Sequence, residues 1–132
     1  MKDPRELALG LLNKARHDLV AARATITTGQ AFDMVCFHAQ QAAEKSLRAL
    51  LAWHAVEYPW QSDLEELLEF VKPLVPEIET WNEDVILLTP FAVEARYEAA
   101  IEPSLGETRA ALQTATGIHT LAIQIIEHPD EN

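Results

Sequence analysis

Residues 31–55 read AFDMVCFHAQQAAEKSLRALLAWHA. Within them Phe32, Val35, Cys36, Ala39, Ala43, Leu47, Leu50 and Leu51 recur at the three- and four-residue intervals that bring side chains onto one face of an α-helix. A strand would need strict alternation, and none is present. The many alanines leave short side chains between the larger ones, so a second helix can approach closely. The stretch therefore predicts a helix over about 31–55 that packs on other helices and stops before Tyr58 and Pro59.

The same reading extends outward. A first helix is expected over about 4–27, with Ala8, Leu11, Leu12, Ala15, Leu19, Ala22 and Ile26 on its apolar stripe, ended by Thr27, Thr28 and Gly29. A short third helix over about 63–72 uses Leu64, Leu67, Leu68 and Val71, and Pro73 and Pro76 close it because neither fits a helix interior. Trp81 to Ala100 is expected to be helical but broken near Thr89 and Pro90. A last helix over about 105–127 presents Leu112, Ala115, Ile118, Leu121, Ala122, Ile125 and Ile126, then meets His128 and Pro129. Four starts carry an oxygen-bearing cap followed three residues later by Glu, a pairing that satisfies otherwise orphaned backbone N–H groups: Asp3 with Glu6, Ser62 with Glu65, Thr80 with Glu83 and Ser104 with Glu107. No alternating run of strand length, internal repeat or low-complexity segment intervenes. The expected fold is all-α, an up-and-down antiparallel bundle of four long helices plus a shorter helix, with residues 1–132 forming one domain.

Composition narrows the function classes. The chain is 48% hydrophobic and carries 21 acidic against 10 basic residues, a formal net charge of −11. That charge repels nucleic-acid phosphate at long range, so contact with DNA is not expected and any contact with RNA has to be local and weak. The acidity equally suits a basic partner or keeps an alanine-rich surface in solution. Cys36 is the sole cysteine, flanked by Val35 and Phe37, and reads as packing material in a reducing, cytoplasmic setting. MKDPRELALG has no long apolar core, and no run approaches the length of a membrane span, so no membrane association is expected.

Catalytic signatures are mostly missing. The chain has no glycine-rich phosphate loop, no HExxH and no paired CxxC, and His17, His38, His54, His119 and His128 are dispersed, so neither a metal site nor a cofactor is expected. A sharper feature is the run Phe37 to Leu51, in which Gln41 and Lys45 share a face while Glu44 and Arg48 can pair in the favourable order. Lys45 has no acid three or four residues away, and neither has Arg96 in the segment TPFAVEARY from Thr89 to Tyr97. Each of these two charges is met by solvent, by another helix or by a partner, with Glu44 the nearest candidate tertiary counterion for the pair.

These residues resemble the HEPN family (higher eukaryotes and prokaryotes nucleotide-binding). The resemblance rests on Ala15, Asp18, Leu19 and Ala22 in the first helix, and on Phe37, Gln40, Gln41, Ala42, Glu44, Lys45 and Ala49 in the second. It continues through Asp63, Leu64, Leu67 and Leu68 and the LTPFAVEARY stretch, and it covers nearly the whole chain in order. It implies a helical bundle that usually dimerises, is often partnered with a small nucleotidyltransferase, and in some toxin–antitoxin members cleaves RNA without a metal. Those nucleases carry an Arg followed four to six residues later by His: the arginine holds phosphate as a fixed fork and the histidine moves a proton near neutral pH.

This chain departs from that pattern. Arg96 is the best match to the arginine, but Tyr97, Glu98, Ala99, Ala100, Ile101, Glu102 and Pro103 follow it, and the next histidine is His119. Ser62 stands where related sequences often have histidine, and Glu98 stands where proline often follows the tyrosine. The expected function is a non-catalytic binding and regulatory module with a polar, nucleotide-binding pocket at Gln41, Glu44, Lys45, Arg96 and Tyr97. Two alternatives stay open: a divergent endoribonuclease in which His38 or His119 replaces the missing histidine, and a purely structural dimerisation domain. A homodimer is expected from Trp53, Tyr58, Trp60, Trp81, Phe91 and Tyr97, more large aromatic surface than one small bundle readily covers.

Overall fold

The computed structural model describes residues 3–92 and 102–129. Helix α1 runs Pro4–Ile26, α2 Phe32–Trp53, α3 Leu64–Val71, α4 Asn82–Leu88 and α5 Leu105–Glu127, and among the described residues there are no strands. The long helices α1, α2 and α5 pack as an antiparallel bundle with α2 at its centre, while α3 and α4 close one side. The apolar stripe of α2 is fully enclosed at Val35, Cys36, Ala39, Ala43, Leu47, Leu50 and Leu51, as its spacing predicts, with only Phe32 half-buried. Opposite it stand Leu12 and Leu19 from α1 and Ile118 and Ile126 from α5, in one core that also holds Leu64, Leu67, Ile78, Val85 and Leu88.

Two helix starts match the expected caps. Asp3 accepts from Glu6 N and Ser104 from Glu107 N, and in the second case Glu107 also reaches back to Ser104 N. The other two differ. The cap of α3 is Asp63 with Glu66, not Ser62 with Glu65, because Ser62 is drawn inward to donate to the Pro59 carbonyl while Asp63 stays at the helix mouth. Thr80 caps nothing: a 3-10 turn over Pro76–Trp81 runs straight into α4, where Asn82 N–H already donates to Glu79 O. The orphan donors that a side-chain cap would serve are thus met by the preceding turn.

The break expected near Thr89 and Pro90 is present as a 3-10 turn over Thr89–Phe91 that ends α4. The helix expected to resume toward Ala100 lies outside the described residues. Between α1 and α2 the turn holds Gly29 at φ 72 and Ala31 at φ 56. Glycine carries that left-handed conformation freely, whereas Ala31 adopts it against its own Cβ. Among the described residues no helix is long and apolar enough to cross a membrane.

Candidate functional site

On α2 the chemistry-bearing side chains divide into two faces. Gln40, Gln41, Glu44 and Arg48 follow one another at helical spacing and border a cavity of about 340 Å³, closed on its far side by Gln61, Ser62, Asp63 and Leu64 and by Thr89 and Ala92. Gln41 donates to Gln40 Oε1 at 2.7 Å, and Gln40, itself buried, donates onward to Glu44 Oε1 at 3.4 Å. The amides are thereby oriented by their neighbours, and the wall is a row of donors and acceptors held in place.

Arg48 organises the rim. Its Nε faces Glu44 Oε2 at 3.4 Å, and its Nη2 donates to the carbonyls of Trp60 and Ser62. The guanidinium also stacks near the rings of Tyr58 and Trp60, with its carbon 5.3 and 5.4 Å from their centroids. One side chain therefore straps the 54–63 connection onto α2. Its Nη1 is buried with no hydrogen-bond partner among the described residues.

Lys45 belongs to the other face. Its ammonium sits 2.6 Å from Asp18 Oδ2 on α1, and His38 Nδ1 lies 2.9 Å from Asp18 Oδ1. The counterion of Lys45 is thus Asp18 and not Glu44. One residue of helical rotation turns Glu44 toward Gln40 and Arg48 while Lys45 points at α1. Asp18 is nearly buried, and two donors placed two turns apart on α2 supply the partners a buried carboxylate requires. Sequence reading named Asp18 and His38 separately but did not join them. The signal was available: His38 and Lys45 lie two helical turns apart on one face, and Asp18 sits inside the apolar stripe of α1.

Of the expected pocket residues, Gln41 and Glu44 line the cavity and Lys45 does not. Arg96 and Tyr97, and the expected approach of Lys45 or Gln41 to them, lie outside the described residues. The two histidines weighed as replacement bases are both engaged. His38 is held by Asp18, whereas His119 is buried between α5 and α1 with Nε2 3.2 Å from the Leu12 carbonyl oxygen. Burial lowers the proton affinity of His119 below that of a free imidazole, against the opposing pull of the Leu12 carbonyl. Cys36 is likewise enclosed, its thiol pKa raised by burial, with Sγ 3.7 Å from Thr108 Oγ1. No three His, Cys, Asp or Glu side chains among the described residues gather as a metal would require.

The expected aromatic surface is unevenly placed. Trp60 is 82% exposed. Trp53, Tyr58, Trp81 and Phe91 are half-buried, the first beneath the Arg5 guanidinium.

No curated protein and no solved structure matches the chain. The model of the HEPN domain matches residues 8–126, from the first buried alanine of α1 to the last buried isoleucine of α5. With nearly the whole bundle covered, and the α2 signature Gln40, Gln41, Glu44 and Lys45 placed on its two polar faces, the chain belongs to the HEPN family.

Proposed function

We propose that the chain is a non-catalytic binding and regulatory module, one domain over residues 1–132. It pairs with a second copy, docks a partner such as a small nucleotidyltransferase, and takes a nucleotide at the cavity beside α2. The observation that carries the ligand reading is the ordered row Gln40, Gln41 and Glu44 facing Ser62 and Thr89 across about 340 Å³. Such a lining reads the edge of a base or a ribose through hydrogen bonds. It does not by itself hold phosphate, because Glu44 and Asp63 are both in the wall and Arg48 commits Nε and Nη2 to Glu44 and two carbonyls, leaving only the buried Nη1. The proposal therefore assigns phosphate to Arg96, four residues along the chain from the cavity lining at Ala92, and the remaining wall to Tyr97. Lys45 serves the site indirectly, by fixing α2 against Asp18. The largely exposed Trp60 indole supports pairing or docking on the same side.

Calorimetric titration with ATP tests the ligand reading. Saturable binding weakened at least about fivefold by Gln41→Ala supports it, with one orienting hydrogen bond removed. Absence of binding, or equal binding by the variant, removes it.

A second reading, a divergent metal-independent endoribonuclease, is favoured by one observation: Asp18 fixes the His38 ring through Nδ1, the arrangement that prepares an imidazole for proton transfer. Incubation with RNA in chelator at neutral pH separates the two. The binding-module reading expects no cleavage, since no histidine follows Arg96 at the spacing of the family's nucleases. Cleavage abolished by both Arg96→Ala and His38→Ala establishes the enzyme instead.

A further inference from the structure

Trp81 ends the 3-10 turn ahead of α4, and the six-membered part of its indole rests directly on the α5 backbone at Gly117, where a Cβ would overlap the ring. Glycine inside a helix costs about 1 kcal/mol relative to alanine, and here its missing side chain makes the seat for the indole. Trp81 then lines an open groove of about 530 Å³ together with Arg23 of α1 and Arg109, Leu112, Gln113 and Thr116 of α5. Arg23 reaches across to Thr116 Oγ1 at 3.3 Å, so the groove straddles the two helices.

Its charge runs against that of the chain. In a protein with 21 acids and 10 bases, two arginines border this groove and, among the described residues, no carboxylate does. Neither arginine has an acid three or four residues away on its helix, and among the described residues neither joins an ion pair. Two guanidinium forks and an apolar floor of indole and Leu112 ask for a ligand with a compact double negative charge and an apolar body. A long polyanion is disfavoured by the net charge of −11, which a small dianion feels far less.

We propose that the groove between α1 and α5 is a binding site for an organic phosphate monoester, its phosphate held by Arg23 and Arg109 and its apolar body laid on Trp81 and Leu112. The site is separate from the cavity beside α2 and independent of what that cavity holds. A free small molecule and a phosphorylated tyrosine of a partner protein offer the same chemistry.

The experiment uses the full chain carrying Trp53→Phe and Trp60→Phe, which leaves Trp81 as the sole tryptophan of three. Phenyl phosphate is expected to change Trp81 emission saturably and to bind at least about tenfold more tightly than inorganic phosphate or phenol, because each of those supplies only half of the recognition. Arg23→Ala with Arg109→Ala is expected to weaken phenyl phosphate at least about tenfold at unchanged helicity, as loss of charge-assisted bonds requires. A phosphotyrosine peptide that binds more tightly than phenyl phosphate assigns the site to a protein partner, and equal affinity assigns it to a free small molecule. Failure of phenyl phosphate to saturate, binding no tighter than that of inorganic phosphate, or undiminished binding by the double variant overturns the proposal.

Discussion

The Lys45 ammonium of α2 and the Asp18 carboxylate of α1 meet at 2.6 Å, and Asp18 accepts His38 on its other oxygen, so one nearly buried acid ties the two longest-paired helices together. The contact couples a feature of sequence, an acid inside an apolar stripe, to the register of the bundle. Removing the acid strands two donors; removing the lysine leaves Asp18 its histidine.

The two substitutions are therefore expected to be unequal. Asp18→Ala should cost about 2–4 kcal/mol, since it removes two charge-assisted hydrogen bonds at once, and Lys45→Met about 1 kcal/mol, since it removes one of them from a pair partly open to water. Urea unfolding of both variants measures this. Equal effects, or a loss below about 0.5 kcal/mol for Asp18→Ala, would mean that the pair does not hold α1 on α2.

Arg48 supports a prediction about the 54–63 connection. Its guanidinium donates to the Trp60 and Ser62 carbonyls and stacks near Tyr58 and Trp60. Lysine keeps the charge but lacks the planar fork. In Arg48→Lys, chymotrypsin should cut after Trp60 several-fold faster than in the wild type, while cleavage elsewhere stays unchanged, because local opening of the strap exposes the chain; the Tyr58 bond is protected in both by the proline that follows it. Unaltered cleavage after Trp60 would show that Arg48 does not fasten the connection.

Much of the bundle was legible because helix spacing and proline punctuation act locally. The ends of α5, the enclosed face of α2 and the break at Thr89 and Pro90 follow from residues near one another in the chain. The cap of α3 and the start of α4 were not legible, because a choice between Ser62 and Asp63, or between a cap and a leading turn, depends on where the neighbouring carbonyls lie. The same holds for the polar residues. Local spacing identified Gln41 and Glu44, which do line one cavity, and it identified Lys45 as unpaired on its own helix. An acid inside the apolar stripe of α1 marks Asp18 as needing a partner, but spacing within one helix does not say which, because the two meet across 27 positions only when α1 packs on α2.

Gly117 offers a test in which the usual sign is reversed. Glycine to alanine inside a helix ordinarily stabilises by up to about 1 kcal/mol. Here the added methyl collides with the Trp81 ring. Gly117→Ala should therefore lose about 1 kcal/mol net, the cost of unseating a half-buried indole exceeding the gain in helix propensity. Trp81 emission should shift to the red as the ring meets water. A stabilised variant with unchanged emission would show that the indole does not depend on this seat.

His119 makes the stability of the bundle depend on pH. Burial lowers its folded-state pKa below the value near 6.5 of an exposed imidazole, and Arg23 and Arg16 push the same way, while the Leu12 carbonyl and Glu127 oppose them. With the folded value the lower one, the unfolded chain binds the proton more readily. The stability that His119 contributes is then fully present above about pH 6.5 and is lost progressively as pH falls from there through the lowered folded value. His119→Gln keeps a polar group able to face the Leu12 carbonyl but cannot take up that proton. Thermal unfolding at pH 7.5 and pH 5.5 should show the wild type losing more of its midpoint on acidification than the variant, by a few degrees for a domain of this size. The variant is expected to be the less stable of the two at pH 7.5, where neutral His119 fits its site, and the gap should narrow at pH 5.5. A gap that stays constant would mean that folding does not shift the His119 pKa, and one that widens in acid would mean that the Leu12 carbonyl, not burial, governs it.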